Sequence, residues 1–84
     1  MSNMPIHVNA TFNPLGKIRP DFIWVEDEEE MMHLYKIKDI EYNREEKLAG
    51  VPAILFVCHI QVGDHLQQIK IRYHVNTHQW ILMQ

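Results

Sequence analysis

What this chain lacks narrows it before any motif is sought. One cysteine, Cys58, stands among 84 residues, so no internal disulfide can form, and a small domain without such staples fits a reducing compartment. Hydroxyl side chains are few: Ser2, Thr11, Thr77 and three tyrosines, and no serine lies in a Gly-rich nucleophile turn. The three glycines stand singly at Gly16, Gly50 and Gly63, which leaves no phosphate-cradling loop. Basic charge is scarce as well. Eight Lys and Arg against eleven Asp and Glu give a formal charge of −3, whereas a dedicated nucleic-acid binder carries a basic surplus to neutralise phosphates. No apolar run approaches the roughly 20 residues of a membrane span, and Met1–Thr11 has neither the basic stretch nor the long apolar stretch of a signal peptide. The absences predict a non-catalytic cytoplasmic protein of one domain, residues 1–84, with no cofactor and no membrane contact.

The apolar fraction of 46% is enough for one modest core, since a chain of this length buries roughly 60–65% of its unfolded surface. Pro52 to Leu82 reads as two hairpins in a row. Gly63-Asp64 is a turn dipeptide between two β-rich runs. If it is the two-residue loop, Phe56 meets Ile71, Cys58 meets Ile69 and Ile54 meets Tyr73 on an apolar face. The other face pairs His59 with Gln68, Val57 with Lys70, Leu55 with Arg72 and Ala53 with His74. A slip of one residue would set polar groups against the apolar set, so the register is well specified. Asn76-Thr77 makes a second turn, setting Tyr73 opposite Trp80 and Ile71 opposite Leu82.

The first half is also strand-like. Ile6, Val8, Ala10 and Phe12 alternate with polar residues, and Asn13-Pro14-Leu15-Gly16 is a turn. Ile18 to Val25 resumes strand character; Pro20 lacks a ladder donor and belongs at an edge or a bulge. Phe22-Ile23-Trp24-Val25 is apolar at both parities, which suggests burial on both faces or a self-association surface. Glu26 to Glu30 closes that hairpin. From Met31 to Tyr42 the apolar parity changes midway, so a bulge near Lys38-Asp39 is predicted. Asn43-Arg44-Glu45-Glu46 resembles a capping box and Gly50 a stop, predicting a short helical turn over 44–49. The sum is an all-β, six-stranded antiparallel meander, a small SH3-like or half-open barrel. Its expected core is Val8, Ala10, Phe12, Ile23, Tyr35, Ile37, Ile54, Phe56, Cys58, Ile60, Ile69, Ile71, Tyr73 and Trp80.

Gly16-Lys17-Ile18-Arg19-Pro20, then Ile23-Trp24, then Tyr35-Lys36-Ile37 and Asp39-Ile40 resemble a family of small uncharacterised Firmicutes proteins. That family's run is G-K-I-R-P-L-x-I-x-W-E-D-G-x-x-Y-x-I-D-x-V-L-D-I, followed by L-K-A-G-G, Y-T-C-R-I and R-W-F-V segments. Leu48-Ala49-Gly50, Val57-Cys58-His59-Ile60 and Gln79-Trp80-Ile81-Leu82 occupy the corresponding places, so the resemblance runs from Val8 to Leu82. The chain departs from it in an expanded acidic loop, in His59 where the family has Arg, and in lacking an acidic-glycine turn after Trp24. The resemblance implies no catalytic residue. It does imply a link to DNA repair, because some members lie near genes for translesion polymerases.

Six histidines raise the question of a metal. His74 and His78 have a zinc-like spacing, but that spacing serves a helix and here spans a turn. Cys58 and His59 point to opposite faces. The acidic run 26–30 lacks the alternation and glycine of a calcium loop. A carboxylate pair such as Glu41 and Glu45 has nothing near it to raise a pKa. A ligand-binding barrel would need a pocket of about 300 Å³ or more. The remaining candidate is an interaction surface: His59, Gln68, Lys70, Arg72 and His74 on the hairpin's outer face, together with Phe22 and Trp24. The expected function is a small protein-interaction module that binds a protein or its own copy. The alternative is an auxiliary nucleic-acid binder near DNA repair, which the negative charge disfavours.

Overall fold

Each alternating stretch becomes a strand in the computed structural model, which describes residues 3–83. The strands are β1 Met4–Phe12, β2 Ile18–Glu26, β3 Met32–Leu48, β4 Val51–Val62, β5 His65–His74 and β6 Gln79–Met83. They follow one another as an antiparallel meander, and β1 returns to pair with β6, so the barrel is closed. The closing seam is short: Met4 faces Leu82, Pro5 faces Ile81 and Ile6 faces Trp80.

Turn chemistry sets the register of the C-terminal half. Gly63, at φ 58°, takes the first central position of a two-residue loop, where a type II′ turn needs glycine. Val62 therefore faces His65, and the rungs run as the alternation predicts down to Ala53 opposite His74. Between β5 and β6 the loop ends at His78, at φ 60°, whose N–H donates to the His74 carbonyl at 2.8 Å. Tyr73 then lies opposite Trp80 and Ile71 opposite Leu82.

β3 is the strand that gives the barrel its bend. Up to Lys36 it pairs with β2; from Ile37 onward it pairs with β4. Two extra residues sit in its second part: Lys38, at the expected bulge, and Glu41, at a second one. The first bulge returns Ile40 to the apolar parity opposite Cys58, the second turns Tyr42 outward opposite Val57, and each bends the strand. The expected helical turn over 44–49 does not form. Arg44 to Leu48 pairs with Leu55 to Val51, and Ala49 and Gly50 both hold positive φ, 52° and 83°. That is the two-residue hairpin loop of a type I′ turn, and it outweighs the local capping pattern.

Ile23, Ile37, Phe56, Cys58, Ile60, Ile71, Tyr73 and Trp80 fill the interior, with Val8, Tyr35, Ile54 and Ile69 half-buried against them. Tyr73 and Phe56 hold their ring centroids 4.8 and 5.7 Å from Trp80, inside the favourable range for tilted aromatic pairs. Two expected core residues are exposed, Ala10 and Phe12. A bulge at Asp21 lets β1 and β2 continue as a hairpin beyond the point where β3 leaves them, with Ala10 opposite the buried Pro20. Among the described residues no further strand pairs with the end of that hairpin. Conversely Leu55 and Val57 are buried, at 5% and 1% exposure, although they face outward. β4 is central in its sheet, and long side chains from Arg44, Tyr42, Lys70 and Arg72 flank them on both sides.

Candidate interaction surfaces

The structure separates the two halves of the sequence-derived surface. His59, Gln68, Lys70, Arg72 and His74 lie on adjacent rungs of β4 and β5. Phe22 and Trp24 lie on β2, in the part of the sheet formed with β1 and the first half of β3. They do not form one patch.

The β4–β5 face is charge-balanced by acids that β3 brings to it. His59 Nδ1 lies 2.7 Å from Asp39 Oδ1, and its Nε2 lies 3.9 Å from Glu41. Gln68 Nε2 donates to Glu41 Oε1 at 3.2 Å. Arg72 Nε donates to Glu46 Oε1 at 3.0 Å, with both side chains largely covered. Arg44 donates to the other oxygen of Glu46 at 3.2 Å. Glu46 thus joins two guanidinium groups directly over Leu55, whose rung partners are Arg44 and Arg72. This acidic row was hidden from the sequence, because the two bulges of β3 decide which of its side chains face His59 and Arg72. Among the described residues, the side chains of Lys70 and His74 form no hydrogen bond or ion pair. A face so neutralised lacks the row of unpaired cations that a phosphate backbone requires.

The β2–β3 face is apolar and open. Trp24 sits between His7 of β1 and Leu34 of β3, and its indole Nε1 donates to Asn9 Oδ1 at 2.7 Å. Phe22 faces Asn9 and Lys36, and Met32 faces Glu26. Leu34 and Met32 are exposed, and the two rings are half-buried. Alternation places Phe22, Trp24, Met32 and Leu34 on one outward face. The sequence reading missed Leu34 and Met32, although their parity in β3 matches that of Lys36 and opposes that of Tyr35.

The remaining polar features serve the fold. Asp27, first of the acidic loop's tip, accepts N–H bonds from Glu29 and Met31 at 2.8 and 3.0 Å, and lies 2.7 Å from His33 Nε2. The bond to His33, then those from the backbone, hold its carboxyl below the usual carboxylate range. Asp21 is held low as well, first by the Thr11 hydroxyl and also by Arg19. Tyr73 Oη and His78 Nδ1 are 2.8 Å apart, so His78 is engaged with Tyr73. Among the described residues no group of three or more His, Cys, Asp or Glu could hold a metal ion. Burial pushes the Cys58 thiol up to about 11, which keeps it in the unreactive protonated form. The surface depressions are shallow; one is lined by Asn9, Thr11, Asp21, Phe22 and Lys36. Among the described residues no helix is long and apolar enough to cross a membrane.

No family model, no curated protein and no solved structure matches the chain.

Proposed function

We propose that this barrel is a non-catalytic interaction module that binds another protein, with Phe22, Trp24, Leu34 and Met32 as the contact surface. One observation carries the reading: a tryptophan held in place by Asn9 at 2.7 Å stands among outward-facing apolar side chains. Aromatic and methionine side chains within a polar rim are the usual make-up of a binding hot spot. His7, Asn9, Lys36 and Glu26 supply that rim. Lys70 and His74, on the other sheet, form a secondary contact. The free thiol of Cys58 fits a cytoplasmic location. The resemblance to the Firmicutes family makes a repair-associated protein a reasonable partner. The neutralised β4–β5 face supports a protein partner over nucleic acid.

The test is capture from native lysate by the tagged protein, eluted in rising salt, with proteins and nucleic acids both identified. A discrete protein retained by wild type, lost with Leu34→Glu and weakened with Lys70→Glu, is the expected result. Nuclease-sensitive, salt-labile nucleic acid without a protein would replace this reading with the nucleic-acid one.

A further inference from the structure

The molecule exposes more than a monomer of its size should. Its surface is 6006 Å² for 10.1 kDa, where the scaling for folded monomers gives about 5,300 Å². Its radius of gyration, 12.9 Å, also exceeds the roughly 11.9 Å expected for this length. The surplus of about 700 Å² approaches the ~800 Å² each partner contributes to a standard interface. Part of it lies where β1 and β2 run on past β3: Phe12 is 61% exposed and Leu15 is 85% exposed.

The same segment has an unpaired edge. On one side β1 pairs with β2 from His7 to Phe12; on the other it pairs with β6 only from Met4 to Ile6. Among the described residues no strand covers the second edge of Val8–Phe12. Exposed edges are ordinarily blunted by charge or proline. The free edge of β3 beyond Ile37 has such protection, since most of its residues are charged. Val8-Asn9-Ala10-Thr11-Phe12 has neither.

Its backbone is also correctly disposed. Asn13 donates its N–H to Lys17 across the β1–β2 hairpin, so by strand alternation Ala10 and Phe12 direct their N–H and C=O groups away from β2. Ala10 lies opposite Pro20, which has no donor to offer it. Now place a second β1 antiparallel to the first, with the two-fold axis at Ala10. Ala10 faces Ala10, Val8 faces Phe12, and Asn9 faces Thr11. Apolar meets apolar on one face, polar meets polar on the other, and no like charges oppose. The free edge of β5, His65–Ile69, fails this test, because a two-fold at Gln67 sets Leu66 against Gln68.

We infer that the β1 edge, Val8–Phe12, pairs with the same edge of a second copy of this chain, joining two barrels through a continuous antiparallel sheet. This edge adjoins the Trp24 face at Asn9, but its test needs only the purified chain, so either reading can fail without the other.

Sedimentation equilibrium over about 10 µM to 1 mM resolves dimers with dissociation constants in that range. The apparent mass of wild type is expected to rise up to twofold from 10.1 kDa. Ala10→Pro removes the outward N–H while leaving the β2 ladder intact, and should hold the protein at monomer mass throughout. Phe12→Lys, at a site already exposed, is the second variant, should Ala10→Pro fail to fold; it should weaken dimerisation by tenfold or more. Wild type monomeric across the range would overturn the inference, as would folded variants that dimerise like wild type.

Discussion

Asn13 and Asp27 make the same four bonds at the tips of two successive hairpins. Each side-chain oxygen accepts the N–H groups two and four residues on: Leu15 and Lys17 for Asn13, Glu29 and Met31 for Asp27. Each backbone N–H donates to the carbonyl four residues on, and each carbonyl accepts the N–H three residues on. The third residue on has positive φ in both, Gly16 at 81° and Glu30 at 65°. One loop is thus built twice, from Asn-Pro-Leu-Gly and from Asp-Glu-Glu-Glu.

Only the second loop places a side chain where glycine is preferred. Glu30→Gly should therefore stabilise the protein by about 0.5–1 kcal/mol, the left-handed penalty less the extra entropy of glycine in the unfolded chain. In thermal denaturation that is a rise of roughly 2–8 °C for a domain this small. A Tm equal to or below that of wild type would show that Glu30 carries no strain.

Because Asn13 holds its loop without a charge, Asp27→Asn should keep the second loop intact. What it removes is a pH dependence. The folded carboxyl of Asp27 is depressed by His33 and the backbone donors, so its contribution is present above the unfolded value and disappears as pH falls through the folded one. Melting curves from pH 7 down to pH 2 should show a smaller acid-induced loss for the variant. An unchanged acid slope would mean that other groups carry the acid sensitivity.

Glu46 is the counter-charge for both Arg44 and Arg72. Glu46→Ala leaves two guanidinium groups facing each other over Leu55 and should cost about 1–3 kcal/mol in urea denaturation. Replacing Glu46 and Arg72 together by leucine should come within about 1 kcal/mol of wild type, since the covered pair is removed whole and the exposed Arg44 loses only a surface ion pair. A double variant less stable than Glu46→Ala would contradict this account.

Cys58 is fully buried, and its thiol is pushed up to about 11. A chromogenic disulfide reagent at pH 8 should react with the native protein at least a hundredfold more slowly than with the protein in denaturant. Stability should also fall as pH rises from the unfolded thiol value, about 8.5, toward the folded one. Native and denatured rates of similar size would show that β4 opens easily.

The C-terminal half was legible rung by rung because Gly63-Asp64 admits one tight turn and the alternation of Ile54, Phe56 and Cys58 punishes any slip. Ala10 and Phe12 were misread for a reason outside their own segment. Their parity is that of core residues, and only the departure of β3 at Lys36 strips them of cover. Arg44 to Ala49 carries strong local helix-start signals, yet pairing with a strand as apolar as β4 decides its state. The basic rungs were placed correctly, while their acidic partners on β3 depend on two bulges, of which the sequence showed one. Leu34 and Met32 were hidden by the same strand, which serves two sheets and changes parity between them.

The three-rung seam between β1 and β6 has a mechanical consequence. Met4 stands opposite Leu82, so the two ends of the barrel's chain leave from neighbouring points on antiparallel strands. A load applied between them pulls across the ladder and parts its hydrogen bonds one rung at a time, as a zipper opens. The same load on strands sheared past each other would have to break them together. The barrel should therefore yield at low force when held by its ends, and the first thing it gives up is closure.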